Sequence, residues 1–316
     1  MDNLRIHSIS TQTKLAEARK SVKLFAFDYD GTIYDGCDFK FPEVIALIEK
    51  ILASGKSVSL ITARAASAVK TFVPPLKEFL IDRGITEPIF IGGGNGAILY
   101  ELKRDELKKI YNHGLNFEEI IRIINEWEKV CGKFEINTTD LAENGLETFR
   151  KFLSEDRVGY IPDEILNLCR PYEGKIFTEE AKVTFVLPKD EIVREKIISE
   201  IKNELGGEYS VVAGDKTFCH ITKKLQEDGK VVAVKTILEI MGLDLNQVAT
   251  FGDMPTGNDA GLLSFPFSFT NSDEFIKEKN NFERSPYILI DSYLSPVARI
   301  YKAVEYLLAA EDEIHR

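Results

Sequence analysis

Cysteine is scarce in this 316-residue chain. There are four, Cys37, Cys131, Cys169 and Cys219, far apart and without a Cys-x-x-Cys pair. That spacing excludes a disulfide framework and predicts reduced, mostly buried thiols. Histidine is as sparse, with His7, His113, His220 and His315 dispersed along the chain, so a His/Cys zinc site is not expected. No stretch approaches the ~18 apolar residues of a membrane span. Lys14, Glu17, Arg19 and Lys20 stand where a secretory leader would need an apolar run. These absences predict a cytoplasmic protein without a membrane partner. Positive charge is also in deficit: 40 Lys and Arg against 51 Asp and Glu give a net charge of −11. Nucleic-acid binding would then need a local basic patch. None stands out, because the lysines interleave with glutamates as on solvated helix faces. An acidic chain can still act on an anionic substrate if its site concentrates a cation.

What is present is an ordinary globular composition, 44% hydrophobic and 29% charged, able to bury a core without staples. The length suits one large or two ordinary domains. Residues 8–20 read as a short polar surface helix. An apolar strand follows at 22–27. A helix runs from Pro42 to Ala53 with Val44, Leu47, Ile48 and Ile51 on one face, Pro42 at its start and Gly55 past its end. Strands at 57–61 and 88–91 flank a helical stretch interrupted by Pro74-Pro75. This alternation predicts an α/β fold, a doubly wound Rossmann-like parallel sheet with its site at the carboxyl ends of the strands.

The pattern changes after about Tyr100. Helices at 117–130 (Phe117, Ile120, Ile121, Ile124 and Trp127 at helical spacing) and 190–205 stand beside strand-like runs at 182–187 and 209–212. The βα pattern resumes with a helix at 230–241, strands at 247–251, 265–269 and 287–290, and a closing helix at 296–310. The expected organisation is a core domain of residues 1–101 and 217–316, interrupted by an inserted α+β cap of residues 102–216.

The sharpest feature is Asp28-Tyr29-Asp30-Gly31-Thr32 at the end of the first strand. Alternation lets Asp28 and Asp30 point to one side. Carboxylates so close repel unless one is protonated or a cation intervenes. Gly31 permits a sharp turn, and Thr32 offers a hydroxyl to an oxyanion. A calcium loop would need a Glu at its twelfth position, where Phe39 stands. Thr62 ends the second strand in Thr62-Ala63-Arg64; Arg64 reads either as an anion contact or as an exposed side chain. Lys230 opens a helix, where a cation opposes the macrodipole and needs a local reason; Lys235 is the fallback. A second acidic strand end is Phe251-Gly252-Asp253, followed by Asn258-Asp259. Gly92-Gly93-Gly94-Asn95-Gly96-Ala97 formally fits a dinucleotide fingerprint, but a strand-like segment follows it where a helix should.

The segment 27–32 resembles the first motif of the haloacid dehalogenase superfamily of phosphohydrolases. Thr62, Lys230 and the Asp253–Asp259 loop resemble its second, third and fourth motifs, in family order. Asn95-Gly96-Ala97 and the insertion resemble the Cof-like and sucrose-phosphatase-like branch with its α+β cap. The resemblance implies a magnesium-dependent phosphatase acting on a small phosphorylated metabolite, a sugar or polyol phosphate. It implies Asp28 as nucleophile and Asp30 as acid and base. Thr62, Lys230, Thr32 and Asn258 would hold phosphate, and Asp28, Asp30 (through its backbone carbonyl) and Asp253 would hold Mg2+. The loop after Asp253 is about two residues longer than in Cof-like relatives, which leaves the part played by Asp259 open. Phosphomannomutases carry a still longer loop, so a phosphomutase is an alternative. A catalytically silent phospholigand-binding protein is another. Oligomeric state has no sequence signal.

Overall fold

The computed structural model describes residues 9–64, 66–136, 139–140, 175–179, 182–188, 190–214, 218–255, 257–272, 288–289 and 294–309. Its centre is a sheet built on β1 (Leu24–Phe27), β2 (Ser57–Ile61), β3 (Ile89–Gly93), β4 (Ile98–Lys103), β5 (Glu106–Asn112), β11 (Val248–Gly252), β12 (Phe267–Thr270) and β13 (Ile288–Leu289). Their order is β13-β12-β11-β1-β2-β3-β4-β5. All neighbours from β13 to β3 run parallel, while β4 and β5 add antiparallel strands at one edge. β1 lies where the strand order reverses, the place at which open α/β sheets gather their ligands.

Alternation along β1 explains both layers. Phe25 and Phe27 join a core with α2 (Phe41–Ala53), α3 (Ala66–Asp82) and α7 (Pro296–Leu308), and stack with Phe251. Leu24 and Ala26 face the other way, onto Ala233, Val234, Ile237 and Leu238 of α6 (Gly229–Met241). The next residue in the second phase is Asp28, so it emerges on the α6 side.

Four expectations change in detail. The N-terminal helix α1 (Ile9–Ser21) is polar by composition, yet Leu15 and Ala18 are buried in the main core. α3 runs unbroken through Pro74 and Pro75. The two prolines forfeit hydrogen bonds to the preceding turn, but Phe72, Leu76 and Leu80 anchor the helix from both sides of the pair. Helix α4 (Phe117–Lys133) buries Ile123, Ile124, Trp127, Val130 and Cys131, whereas Phe117 and Ile121 are exposed. The apolar face is therefore rotated from the one the spacing suggested. The change of pattern near Tyr100 is not a change of sheet: β4 crosses residue 101, and β5 keeps the chain in the central sheet to Asn112.

A second sheet has the order β6-β7-β8-β10-β9. It comprises β6 (Thr139–Asp140), β7 (Lys175–Glu179), β8 (Lys182–Val186), β9 (Tyr209–Gly214) and β10 (Phe218–Lys223). α4 and α5 (Glu191–Leu205) cover one face, with Trp127 stacked on Phe185 at 4.0 Å. Lys182, Thr184 and Thr222, in the opposite phase of β8 and β10, are buried as well. β10 lies beyond the boundary expected at 216–217.

Candidate active site

Asp28 is anchored by its own backbone, whose N–H donates to Phe251 O at 2.8 Å. Its side chain meets the ammonium of Lys230, which is fully buried in the first turn of α6. Lys230 Nζ lies 2.6 Å from Asp28 Oδ1 and 2.5 Å from Asp259 Oδ1. Asp228 caps the same helix, accepting the N–H groups of Lys230 and Val231. A buried cation at a helix start is held there by these carboxylates against desolvation and the macrodipole. Burial would lower the Lys230 pKa, but Asp259 and Asp28 outweigh it and the group stays charged. The same burial, with Asp259 nearby, pushes Asp28 up to about 7 despite Lys230.

The two ends of the Asp253–Asp259 loop meet beside this pair. Asp259 Oδ2 accepts the N–H groups of Asp253 and Met254, each at 3.0 Å. Both oxygens of Asp259 are thus engaged, one by Lys230 and one by the loop backbone, so it orients Lys230 and shapes the loop. Asp253 is raised well above the ordinary carboxylate range by burial, then by Asp259 and Asp28. Its carboxylate lies over Gly31, at φ +77°, where a Cβ would collide with Asp253 Oδ2. Carboxylate oxygens of Asp28, Asp253 and Asp259 all fall within 4.8 Å of one another. Three carboxylates with one ammonium leave uncompensated negative charge, and an all-oxygen donor set fits a hard divalent cation such as magnesium.

Asp30 points to a different partner from Asp28. Arg64 grips it with two bonds, Nε to Oδ2 at 2.9 Å and Nη2 to Oδ1 at 2.5 Å. Arg64 is therefore neither an exposed side chain nor a free anion contact, because its 11% side-chain exposure goes with an internal ion pair. Thr62 is buried at the end of β2, its N–H on Gly92 O and its hydroxyl accepting the Arg64 N–H at 3.1 Å. Thr32 Oγ1 donates to Asp28 Oδ2 at a long 3.4 Å. Asn258 follows in the loop with its buried Oδ1 lacking a partner.

The other sequence candidates lie elsewhere. Lys235 forms an exposed ion pair with Glu227. The glycine-rich turn after β3 leads into antiparallel β4 rather than a helix, and Gly96, at φ +82°, abuts the backbone of Gly229 at the start of α6. His220 bonds Thr184 Oγ1 through Nδ1 at 3.0 Å. Burial, with help from the Lys182 ammonium, pushes its pKa well below the usual imidazole range. Cys131 and Cys219 are buried and Cys37 is exposed, while Cys169 falls outside the described residues. Sequence reasoning missed Lys182, whose Nζ donates to Ala63 O at 2.7 Å beside Thr62. A lysine opening an otherwise apolar strand was the available signal.

Residues 25–282 match the family described as haloacid dehalogenase-like hydrolase. No curated protein matches the chain in sequence. Solved structures similar to it include a HAD/COF-like hydrolase from Plasmodium vivax, 18% identical over 93% of this chain and 98% of that one, with a TM-score of 0.61. A sugar phosphatase of HAD subclass IIB is 19% identical over 90% and 98%, with a TM-score of 0.56. The IMP-bound IMP-nucleotidase of Plasmodium falciparum is 14% identical over 93% and 70%, with a TM-score of 0.54. At such identities these likenesses establish the fold. The family match itself spans all four motifs and most of the chain, so the protein belongs to the haloacid dehalogenase-like hydrolases.

Proposed function

We propose that this hydrolase is a magnesium-dependent phosphatase of small phosphorylated metabolites, working through an aspartyl-phosphate on Asp28. The observation that carries the reading is the fully buried Lys230 ammonium between Asp28 and Asp259, with Asp253 in the same cluster. A cation beside a buried nucleophilic carboxylate is what an incoming phosphoryl dianion requires.

In the first half-reaction an oxygen of Asp28 attacks phosphorus while Lys230 neutralises the phosphoryl oxygens. The hydroxyls of Thr62 and Thr32 and the amide of Asn258 hold the remaining oxygens. The bond from phosphorus to the leaving oxygen breaks, and Asp30 supplies the proton that makes it an alcohol. In the second, Asp30 takes a proton from water as that water attacks phosphorus. The bond to Asp28 breaks and inorganic phosphate is released. Magnesium held by Asp28, Asp253 and the Asp30 backbone carbonyl would supply charge neutralisation at the phosphoryl group. Asp259 holds Lys230 in place.

The second sheet, between β5 and α6, acts as the cap that selects the leaving group. Its Lys182 bond to Ala63 O, beside Thr62, supports that placement. IMP in one structural relative and sugar phosphates in another support a small phosphorylated metabolite as the substrate class; a sugar or polyol phosphate is the narrower choice. Phosphate release from a panel of sugar, polyol and nucleoside monophosphates, with and without Mg2+, tests the reading beside Asp28→Asn. Magnesium-dependent release lost in that variant is expected. Undiminished turnover by Asp28→Asn, or no release from any monoester including an aryl phosphate, would overturn it.

A further inference from the structure

Arg64 has no role in the reaction just described, yet its guanidinium is ion-paired with the carboxylate placed at the leaving oxygen. Its N–H is bonded to Thr62 Oγ1 and its carbonyl accepts the Gly94 N–H at 2.6 Å. Its guanidinium carbon lies 5.1 Å from the ring centroid of Tyr29, 5.8 Å from that of Tyr34 and 6.0 Å from that of Phe72. Tyr29, Tyr34 and Phe72 are themselves core residues. The planar fork thus sits in an aromatic box, which favours a delocalised cation over hydrated ammonium. From that box it reaches the carboxylate of Asp30, at 2.9 and 2.5 Å.

An aspartate with 28% side-chain exposure, left to itself, would exchange among staggered rotamers. A two-pronged bond to a guanidinium fixes both its position and its plane. Each carboxylate oxygen has two lone pairs, and the fork occupies one on each. The second lone pair of each oxygen remains, to carry the proton delivered to the leaving oxygen and later to accept one from water. The pair therefore aims Asp30 without consuming it.

Resting on the phosphatase reading above, we infer that Arg64 is a positioning residue that aims the Asp30 carboxylate at the leaving oxygen, with the Tyr29–Tyr34–Phe72 box fixing the guanidinium. Lysine keeps the charge but loses the fork, so Arg64→Lys separates aim from electrostatics.

The experiment compares two substrates in single turnover with magnesium. A simple alkyl phosphate needs its leaving oxygen protonated, whereas a nitrophenyl phosphate does not. Since a well-placed general acid is worth about 10²–10⁴-fold, Arg64→Lys should slow phosphoryl transfer from the alkyl ester by about 10²-fold and from the aryl ester by less than about threefold. Inhibition by inorganic phosphate should be unchanged. In the Asp30→Asn background the same substitution should cost the alkyl ester nothing further. Equal losses on both esters, weakened phosphate inhibition, losses additive with Asp30→Asn, or no loss would each overturn the assignment. Arg64→Gln, scored the same way, serves if the lysine variant does not fold. Full turnover by Asp28→Asn would instead remove the phosphatase reading beneath it, so the two failures are distinguishable.

Discussion

Replacing Lys230 by methionine in metal-free protein isolates the electrostatics of the site. The side chain is fully buried and bonded to two carboxylates at 2.6 and 2.5 Å. Methionine fills much of the same volume but leaves those carboxylates without their cation. Removing one partner of a buried pair costs about 3–5 kcal/mol, a large share of the ~5–15 kcal/mol that holds a domain folded. Proton uptake offers relief. Asp28 already titrates near 7 with Lys230 present, and losing the ammonium raises it further. A carboxyl whose folded pKa lies above its unfolded value contributes stability that is complete below the unfolded pKa and lost as pH rises through the folded one. The variant should therefore be hurt more at about pH 8 than at about pH 5.5, and since each unit of pKa is about 1.4 kcal/mol, the deficit should narrow by at least ~1 kcal/mol between them. Urea denaturation in a chelating buffer at both pH values measures it. A Lys230→Met protein as stable as wild type at the higher pH, or a deficit independent of pH, would refute the reasoning.

Three other outcomes follow from the same geometry. Magnesium added to chelated wild-type protein should raise Tm more at about pH 8 than at about pH 5.5, because protons compete for Asp28 and Asp253; Asp253→Asn should abolish the rise. Gly31→Ala should lower kcat by at least about tenfold with the circular dichroism spectrum intact, since the new methyl displaces the Asp253 carboxylate and φ there is +77°. Lys235→Met, which loses only an exposed pair with Glu227, should leave kcat unchanged and shift stability by less than about 0.5 kcal/mol.

Much of this site was legible because its chemistry is local. Asp28, Thr62 and Asp253 each end an apolar strand, and a run of buried residues followed by a polar one marks a strand's carboxyl end in any parallel sheet. Lys230 stood out because a lysine at a helix start contradicts the dipole unless something answers it. What stayed hidden was pairing across sequence distance. Asp259 could belong to the metal or to Lys230 until the loop's curvature was known. Arg64 was ambiguous because only the fold brings Tyr29, Tyr34 and Phe72 around it. Leu15 and Ala18 read as solvated because a helix with two apolar contacts has no visible stripe. The strand edge fared no better: β5, in Glu106–Asn112, carries Glu106, Lys108 and Lys109 in seven residues, so nothing in its composition announced that it extends the central sheet.

The place of β1 between β2 and β11 also has a kinetic side. Asp28 and Lys230 are 202 residues apart, and β11 follows Lys230 in the chain. During synthesis β1 can pair with β2 at once, but its other edge waits until the whole second sheet has been made. Until then the nascent half-sheet exposes an apolar edge and carries a carboxylate with no countercharge. Long-range closure of this kind slows folding and favours misassociation. The ion pair at Asp28 therefore forms among the last contacts of the core, so a chain halted before α6 has Asp28 in place and no Lys230 to answer its charge.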